Sequence, residues 1–341
     1  MQCMHTSFVS PLYPPKLRLT NSQLSISQKQ NHFPTNFQDY NAQFSSIDST
    51  IPLPSHVKSI TSTTNPFVKH CLKLRQSSSY RYAHGSALVV GATPIREIYS
   101  FQKSLQEITV KMICLLVLDE AKIPEEIDVS SIRIVGVSSA VMKKLSGLQS
   151  IESIEAIALM RIPTCFFNLA DLQAEADCRR WFKVAHRVLV LDGIQDPGNL
   201  GTLLRSAMAF RWGGVFLLPG CCDPFNEKAI RASRGASFQL PIVCGSWFHL
   251  RSLKSEFQMK MLAGHPDSHE ELKPVLKLTQ ELADSLAHLP LCVVLGSEGS
   301  GLSENSLQEC ELVSIPMAGE FESLNVSVAG GIFLYMLQPR T

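Results

Sequence analysis

The 341-residue sequence has little bulk charge: charged residues make up 18% and the formal net charge is +1. A chain so nearly neutral cannot hold a polyanion by its overall field, so any nucleic-acid contact must come from a local basic patch. Cysteines in metal-binding pairs are missing too. The ten cysteines, at 3, 71, 114, 165, 178, 221, 222, 244, 292 and 310, include no C-x-x-C, and most lie in apolar runs such as Leu291-Cys292-Val293. Thiols scattered in this way read as small hydrophobes of a reducing compartment, not as a disulfide frame or a zinc ribbon. His265 and His269 stand four apart, but Pro266 between them works against a helix presenting both, so no metal is expected. No apolar run approaches the ~20 residues that a membrane-spanning helix needs, and no internal repeat is present. What remains is a globular composition, 45% hydrophobic, with room for two modest domains.

Acids are nearly missing from positions 1–60, which carry only Asp39 and Asp48 among many Ser, Thr, Asn, Gln and Pro. Such a stretch cannot bury enough apolar surface to offset its ordering entropy. Acid-poor, hydroxyl-rich N-termini are characteristic of organelle transit peptides, and residues 1–60 are expected to be one. Arg18 is the only arginine before Arg75, which favours chloroplast over mitochondrion.

Beyond residue 60 short apolar runs alternate with helical periodicities. Phe67 to Arg75 sets Phe67, Cys71 and Leu74 on one helical side, with Lys69, Lys73 and Arg75 on the other. Strands are expected at 87–90, 113–118, 132–135 and 154–159, with helices near 95–101 and 139–145. That is a small α/β domain over 61–162. A polar stretch, 163–186, reads as a connector. From residue 187 the alternation restarts, with strands at 188–191, 215–218, 259–262, 291–295 and 312–315 and helices at 200–210, 227–233 and 326–337. A largely parallel sheet covered on both faces is expected over 187–341.

Three clusters in this half hold residues that folding alone does not demand. Asp196-Pro197-Gly198-Asn199-Leu200-Gly201 follows a strand and leads into a helix carrying Arg205, with Asn199 as a possible cap. Leu295-Gly296-Ser297-Glu298-Gly299-Ser300-Gly301 runs from a strand into a glycine-rich loop. Its G-x-x-G-x-G spacing is neither the dinucleotide G-x-G-x-x-G nor the hydrolase G-x-S-x-G. The third, Ile315 to Ala329, passes through a Pro- and Gly-containing loop with Ser323 and Asn325 into a small-residue helix. There Ala329, Gly330 and Gly331 are expected to permit a very close helix contact.

Taken in order, the three clusters resemble the motifs of the SpoU (TrmH-type) RNA ribose 2′-O-methyltransferases, N-x-G-x-x-x-R, G-x-E-G-x-G-L-S and I-P-M-x-G-x-x-x-S-L-N-V-S-x-A. Asp223-Pro224-Phe225-Asn226-Glu227-Lys228-Ala229-Ile230-Arg231-Ala232-Ser233 is similar to a further family segment. One departure is Arg211-Trp212, where relatives commonly carry a glycine. The resemblance implies an α/β fold in which a trefoil-knotted parallel sheet follows a small domain similar to the L7Ae/L30 RNA-binding proteins. It implies S-adenosylmethionine as cofactor, cupped by Leu295, Gly296, Ile315, Met317, Ser323 and Leu324. Arg205 would stabilise the ribose alkoxide, Asn199 and Asn325 would position it, and Glu298 would orient or pair with Arg205. Lys69, Lys73, Arg75, Lys228 and Arg231 would contact RNA. The family also implies a homodimer whose active site is shared across the interface, so the expected partners are RNA and a second copy. The expected substrate is organellar rRNA; a tRNA ribose, or a non-catalytic role in ribosome assembly on the same fold, stays open here.

Overall fold

The structure, a computed structural model, describes residues 58–340 apart from 106–108, 120–126, 128–131, 151–153, 155, 170–176, 184, 267–272 and 320–321. The expected transit segment lies outside these residues save for its last three. Those include a short strand, β1 (Ser59–Ile60), which lies before the expected boundary at residue 61. No helix among the described residues is long and apolar enough to cross a membrane.

The first sheet contains β1, β2 (Ser86–Val90), β3 (Met112–Leu118), β4 (Arg133–Val137) and β5 (Ala156–Arg161), in the order β1-β4-β3-β5-β2. β1, β4 and β3 pair in parallel, whereas β5 runs antiparallel to β3 and β2. Asn65 caps the helix Pro66–Gln76, its Oδ1 accepting from the Phe67 amide at 2.8 Å. That helix buries Phe67, Cys71 and Leu74 on one face of the sheet, beside Val141 and Leu145 of the helix Ser139–Ser146. The opposite face takes Ile95 and Ile98 from the helix Ala92–Ser104, and also Phe225, Ile230 and Phe238 from far along the chain. The two halves of the sequence therefore share a core.

The second sheet has eight strands, all paired in parallel. They are β6 (Phe166–Asn168), β7 (Arg187–Asp192), β8 (Gly214–Leu217), β9 (Ile242–Cys244), β10 (Lys260–Gly264), β11 (Val275–Lys277), β12 (Leu291–Gly296) and β13 (Glu311–Ser314). Their order is β11-β13-β10-β12-β7-β8-β9-β6. The central strands are apolar on both sides, as a parallel sheet covered on both faces requires. The stretch 163–186 is not merely a connector: β6 pairs with β9 as the sheet's edge. β6 and β9 are only three residues long, too short for periodicity to mark.

The helices Pro197–Ala209 and Val326–Met336 cover one face through Leu200, Leu203, Leu204, Phe333 and Leu334, and Trp247–Glu256 covers the other with Leu250 and Leu253. Two glycines set how closely these helices approach. A side chain on Gly201 would strike the Ala229 carbonyl and Ala232 of the helix Glu227–Ser233. One on Gly330 would strike Leu203 and Leu295, whereas Gly331 faces open space. Only the first of that glycine pair is needed for close contact. Arg211 keeps the turn that a glycine would make, at φ 55°, with Trp212 buried behind it and donating from Nε1 to the Leu334 carbonyl at 3.1 Å. The departure from the family pattern thus puts an arginine in the left-handed region, which glycine enters more readily.

Candidate active site

Because β10, β12 and β13 are parallel, their carboxyl ends open along one edge, where sheets of this kind bind ligands. The loops that leave β12 and β13 close over that edge around a cavity of about 880 Å³. All six residues expected to hold a cofactor, Leu295, Gly296, Ile315, Met317, Ser323 and Leu324, line it, as do Glu298 and Asn325. Gly264, His265 and Lys277 line it as well and were not singled out for this site from sequence; their signal is their place at or after the ends of β10 and β11. Met317 and Leu324 are 39% and 37% exposed, leaving aliphatic surface for a flat apolar group to cover.

The loop after β12 is held by its own backbone. Ser297 N–H donates to the Gly301 carbonyl at 2.8 Å and Gly301 N–H returns a bond to Ser297 O at 3.1 Å. A side chain on Gly296 would run into the Gly301–Leu302 backbone, so this glycine lets the loop fold back on itself while also lining the cavity. From below, the buried Asp192 carboxylate at the end of β7 accepts from Ser303 N at 2.9 Å and from Ser306 Oγ at 2.5 Å. That fixes the far end of the loop to the central strand.

The first motif is built differently from expectation. Asp196, not Asn199, caps the helix: its Oδ1 accepts from the Asn199 amide at 2.8 Å, and the helix starts at Pro197. The Asn199 side chain is thereby free to donate from Nδ2 to Glu298 Oε1 at 3.0 Å. Glu298 Oε2 also accepts from Gln195 N at 3.4 Å. Partial burial pushes the Glu298 carboxyl upward, but the Asn199 amide and the backbone N–H groups of Glu298, Gln195 and Asp196 outweigh it and hold it below the usual carboxylate range. Within its own chain Glu298 thus pairs with Asn199, and Arg205 is not among its partners. Arg205 itself is exposed, makes no ion pair or side-chain hydrogen bond among the described residues, and does not line the cavity of its own chain. Asn325 caps the last helix, its Oδ1 accepting from Ser327 N at 2.9 Å and from Ser327 Oγ at 2.6 Å.

Of the five residues expected at RNA, Lys69, Lys73, Lys228 and Arg231 have exposed side chains. Arg75 does not qualify. Its guanidinium donates to the Leu145 carbonyl at 2.9 Å and faces Glu227 at 3.9 Å, with the side chain only 16% exposed. Helical spacing alone cannot tell such an engaged arginine from a free one. The described cysteines are all free thiols, and burial pushes Cys114, Cys222 and Cys310 up to about 12, so none of these three is a poised nucleophile. No group of residues among those described could hold a metal ion.

A strand-end cavity walled by aliphatic side chains and loop backbone, with an amide–carboxylate pair beside it, is a place where a parallel α/β sheet can hold a small ligand. Residues 186–335 match the model of the SpoU rRNA methylase family. An uncharacterised tRNA/rRNA methyltransferase of Synechocystis is 31% identical over 83% of this chain and 94% of its own length. The 23S rRNA (guanosine(2553)-2′-O)-methyltransferase RlmP of Bacillus subtilis is 27% identical over 83% of this chain and its whole length. The fold is that of an AdoMet-bound rRNA methyltransferase from Sinorhizobium meliloti, with a TM-score of 0.63 at 22% identity, over 82% of this chain and 97% of that one. This chain belongs to the SpoU rRNA methylase family.

Proposed function

We propose that the chain transfers the methyl group of S-adenosylmethionine to the 2′-hydroxyl of a ribose in structured RNA, with organellar ribosomal RNA as substrate. The observation that carries this is the cavity built by the second and third motifs and tied to the first through the Asn199–Glu298 hydrogen bond. Its wall suits the cofactor: Leu295, Ile315, Met317 and Leu324 offer an apolar slot for adenine, and Lys277 offers a cation for a carboxylate. When bound, the cofactor supplies an electrophilic methyl group on a sulfonium. The obstacle is the nucleophile, because a ribose hydroxyl is hardly ionised at neutral pH. Arg205 stays charged in nearly any surroundings and stabilises the alkoxide as it develops. Asn199, held by Glu298, positions the hydroxyl. RlmP is named as a 2′-O-methyltransferase of 23S rRNA and the Sinorhizobium protein as an AdoMet-bound rRNA enzyme, and both support this reading.

Arg205 lies outside its own chain's cavity, which supports a homodimer in which it serves the cavity of the second copy. Val328 and Tyr335 of the last helix, 52% and 58% exposed, would be covered there. The loops around the cavity are proposed to form the family's trefoil knot, and the first sheet to be the RNA-holding module, with Lys69 and Lys73 on its open side. The acid-poor residues 1–60 supply a plastid address. The test incubates the full-length chain with S-adenosylmethionine and organellar ribosomal RNA and locates the new methyl by mass spectrometry of nucleosides. A 2′-O-methyl is expected. Arg205→Ala should lower transfer by on the order of 10²–10³ with cofactor affinity unchanged. A methyl on a base, or full activity in Arg205→Ala, refutes the reading.

A further inference from the structure

The family segment beginning Asp223-Pro224-Phe225 contains no residue of the cavity, yet its acid is one of the most heavily engaged groups in the molecule. Arg81, on the helix Ser78–His84 of the first sheet's domain, donates from Nε to Asp223 Oδ2 at 2.8 Å and makes a second, shorter bond to the same oxygen from Nη2. Tyr82 Oη donates to Asp223 Oδ1 at 2.8 Å, and the Phe225 amide donates to that oxygen at 2.8 Å. Arg81 Nη1 is engaged as well, on the carbonyls of Leu74 at 2.6 Å and Arg75 at 3.0 Å. The Arg81 and Asp223 side chains are only 3% and 10% exposed, so the pair is out of water. Burial and the Asp223 carboxylate push the Tyr82 phenol upward, keeping it a donor.

Around this ion pair the aromatic contacts run from one sheet to the other. The Tyr82 ring stacks on Phe166 of β6, with 5.6 Å between centroids and 5° between planes. Phe166 meets Phe225 edge-on at 5.0 Å, and Phe225 meets Phe238 at 5.3 Å. Gly235, at φ 86°, lies so close to the helix Ala92–Ser104 that a side chain there would strike Ile98 and the Pro94 carbonyl. The helix Glu227–Ser233 thus has Ile230 in the small domain's core and Gly201 of the motif-one helix against its other flank.

We propose that Asp223 is a positioning residue: with Arg81 and Tyr82 it clamps the small domain to the large one, so that bound RNA meets Arg205 at one fixed offset. Lys228 and Arg231, exposed on the helix that spans the seam, then lie on the track between the two. A swinging module could present several riboses in turn, whereas a clamped one selects a single ribose by distance. The inference rests on the methyltransferase reading above and on the first sheet as the RNA-holding module.

The test compares wild type, Asp223→Ala and Tyr82→Phe as full-length chains. RNA and cofactor KM are measured, methylated positions are mapped, and unfolding is followed by calorimetry. Asp223→Ala is expected to raise the RNA KM at least five-fold, leave the cofactor KM within two-fold, spread methylation to neighbouring riboses and split one unfolding transition into two. Tyr82→Phe, which keeps the ion pair, should fall between. An unchanged RNA KM with a single methylated ribose in Asp223→Ala overturns the proposal, even if the unfolding transition splits. If wild type methylates no RNA, the functional reading fails. The clamp is then judged by calorimetry alone, a single unshifted transition in Asp223→Ala overturning it.

Discussion

At the scale of single residues, the most demanding position in the large sheet is Arg187 at the start of β7. It is 1% exposed and has no carboxylate partner among the described residues. Its guanidinium instead donates to carbonyls: Leu337 at 2.7 Å, Leu286 at 2.9 Å, Ala287 at 3.0 Å, and also Leu289 and His186. Leu286 and Leu337 terminate the helices Gln280–Ser285 and Val326–Met336, whose last carbonyls carry the negative end of the helix dipole. Burial lowers the arginine to about 10, which still leaves it charged at neutral pH. Arg187→Ala should therefore cost at least ~3 kcal/mol in a urea titration, because each buried acceptor left bare costs ~1–3 kcal/mol. Arg187→Lys should recover part of that, since an ammonium has three donors where a guanidinium has five. A loss below about 1 kcal/mol in the alanine variant would show that water replaces the side chain without penalty.

At the scale of elements, function depends on how closely three helices nest. Gly201 lets the helix bearing Arg205 sit against Glu227–Ser233, and Gly330 lets the last helix sit against Leu203 and Leu295. Gly201→Ala should push the motif-one helix outward. We expect a stability loss of ~1–3 kcal/mol from overpacking, and a fall in kcat with cofactor affinity unchanged, since the cavity lies on other elements. Equal falls in kcat and cofactor affinity would mean that the displacement reaches the cavity. Much of this level was legible in the sequence. Apolar runs marked β7, β8, β10, β12 and β13, and the ordered motifs marked the part of the cavity wall formed by the loops after β12 and β13. Partnerships were not legible. Nothing in N-x-G-x-x-x-R says that Asp196 takes the cap and releases Asn199 to Glu298, because a cap is decided by where the helix begins. Nor does helical spacing reveal that Arg75 is held by the Leu145 carbonyl and Glu227. Contacts between residues far apart in sequence leave no periodic trace.

At the scale of the whole molecule, two sheets share a core and the cavity of one chain is not lined by that chain's Arg205. If Arg205 acts on the second copy's cavity, two inactive variants should complement each other. Arg205→Ala keeps its cavity, whereas Leu324→Trp fills the cavity and keeps its arginine. Mixed after joint refolding in equal amounts, they should regain about a quarter of wild-type activity, half of the dimers having one composite site. Activity that stays absent on mixing places the arginine in its own chain's site. The strand order has a consequence for how this protein is made. β12 lies between β7 and β10, pairing with both, yet it is synthesised after both. A chain emerging from the ribosome therefore carries three unpaired apolar strand edges, one on β7 and both on β10, until residue 296 has cleared the exit tunnel, and the β10 edge that awaits β13 stays open longer still. Such edges invite pairing with another chain. The interval between completing β10 and delivering β12 is when the nascent protein is most open to aggregation, and when a chaperone would protect it most.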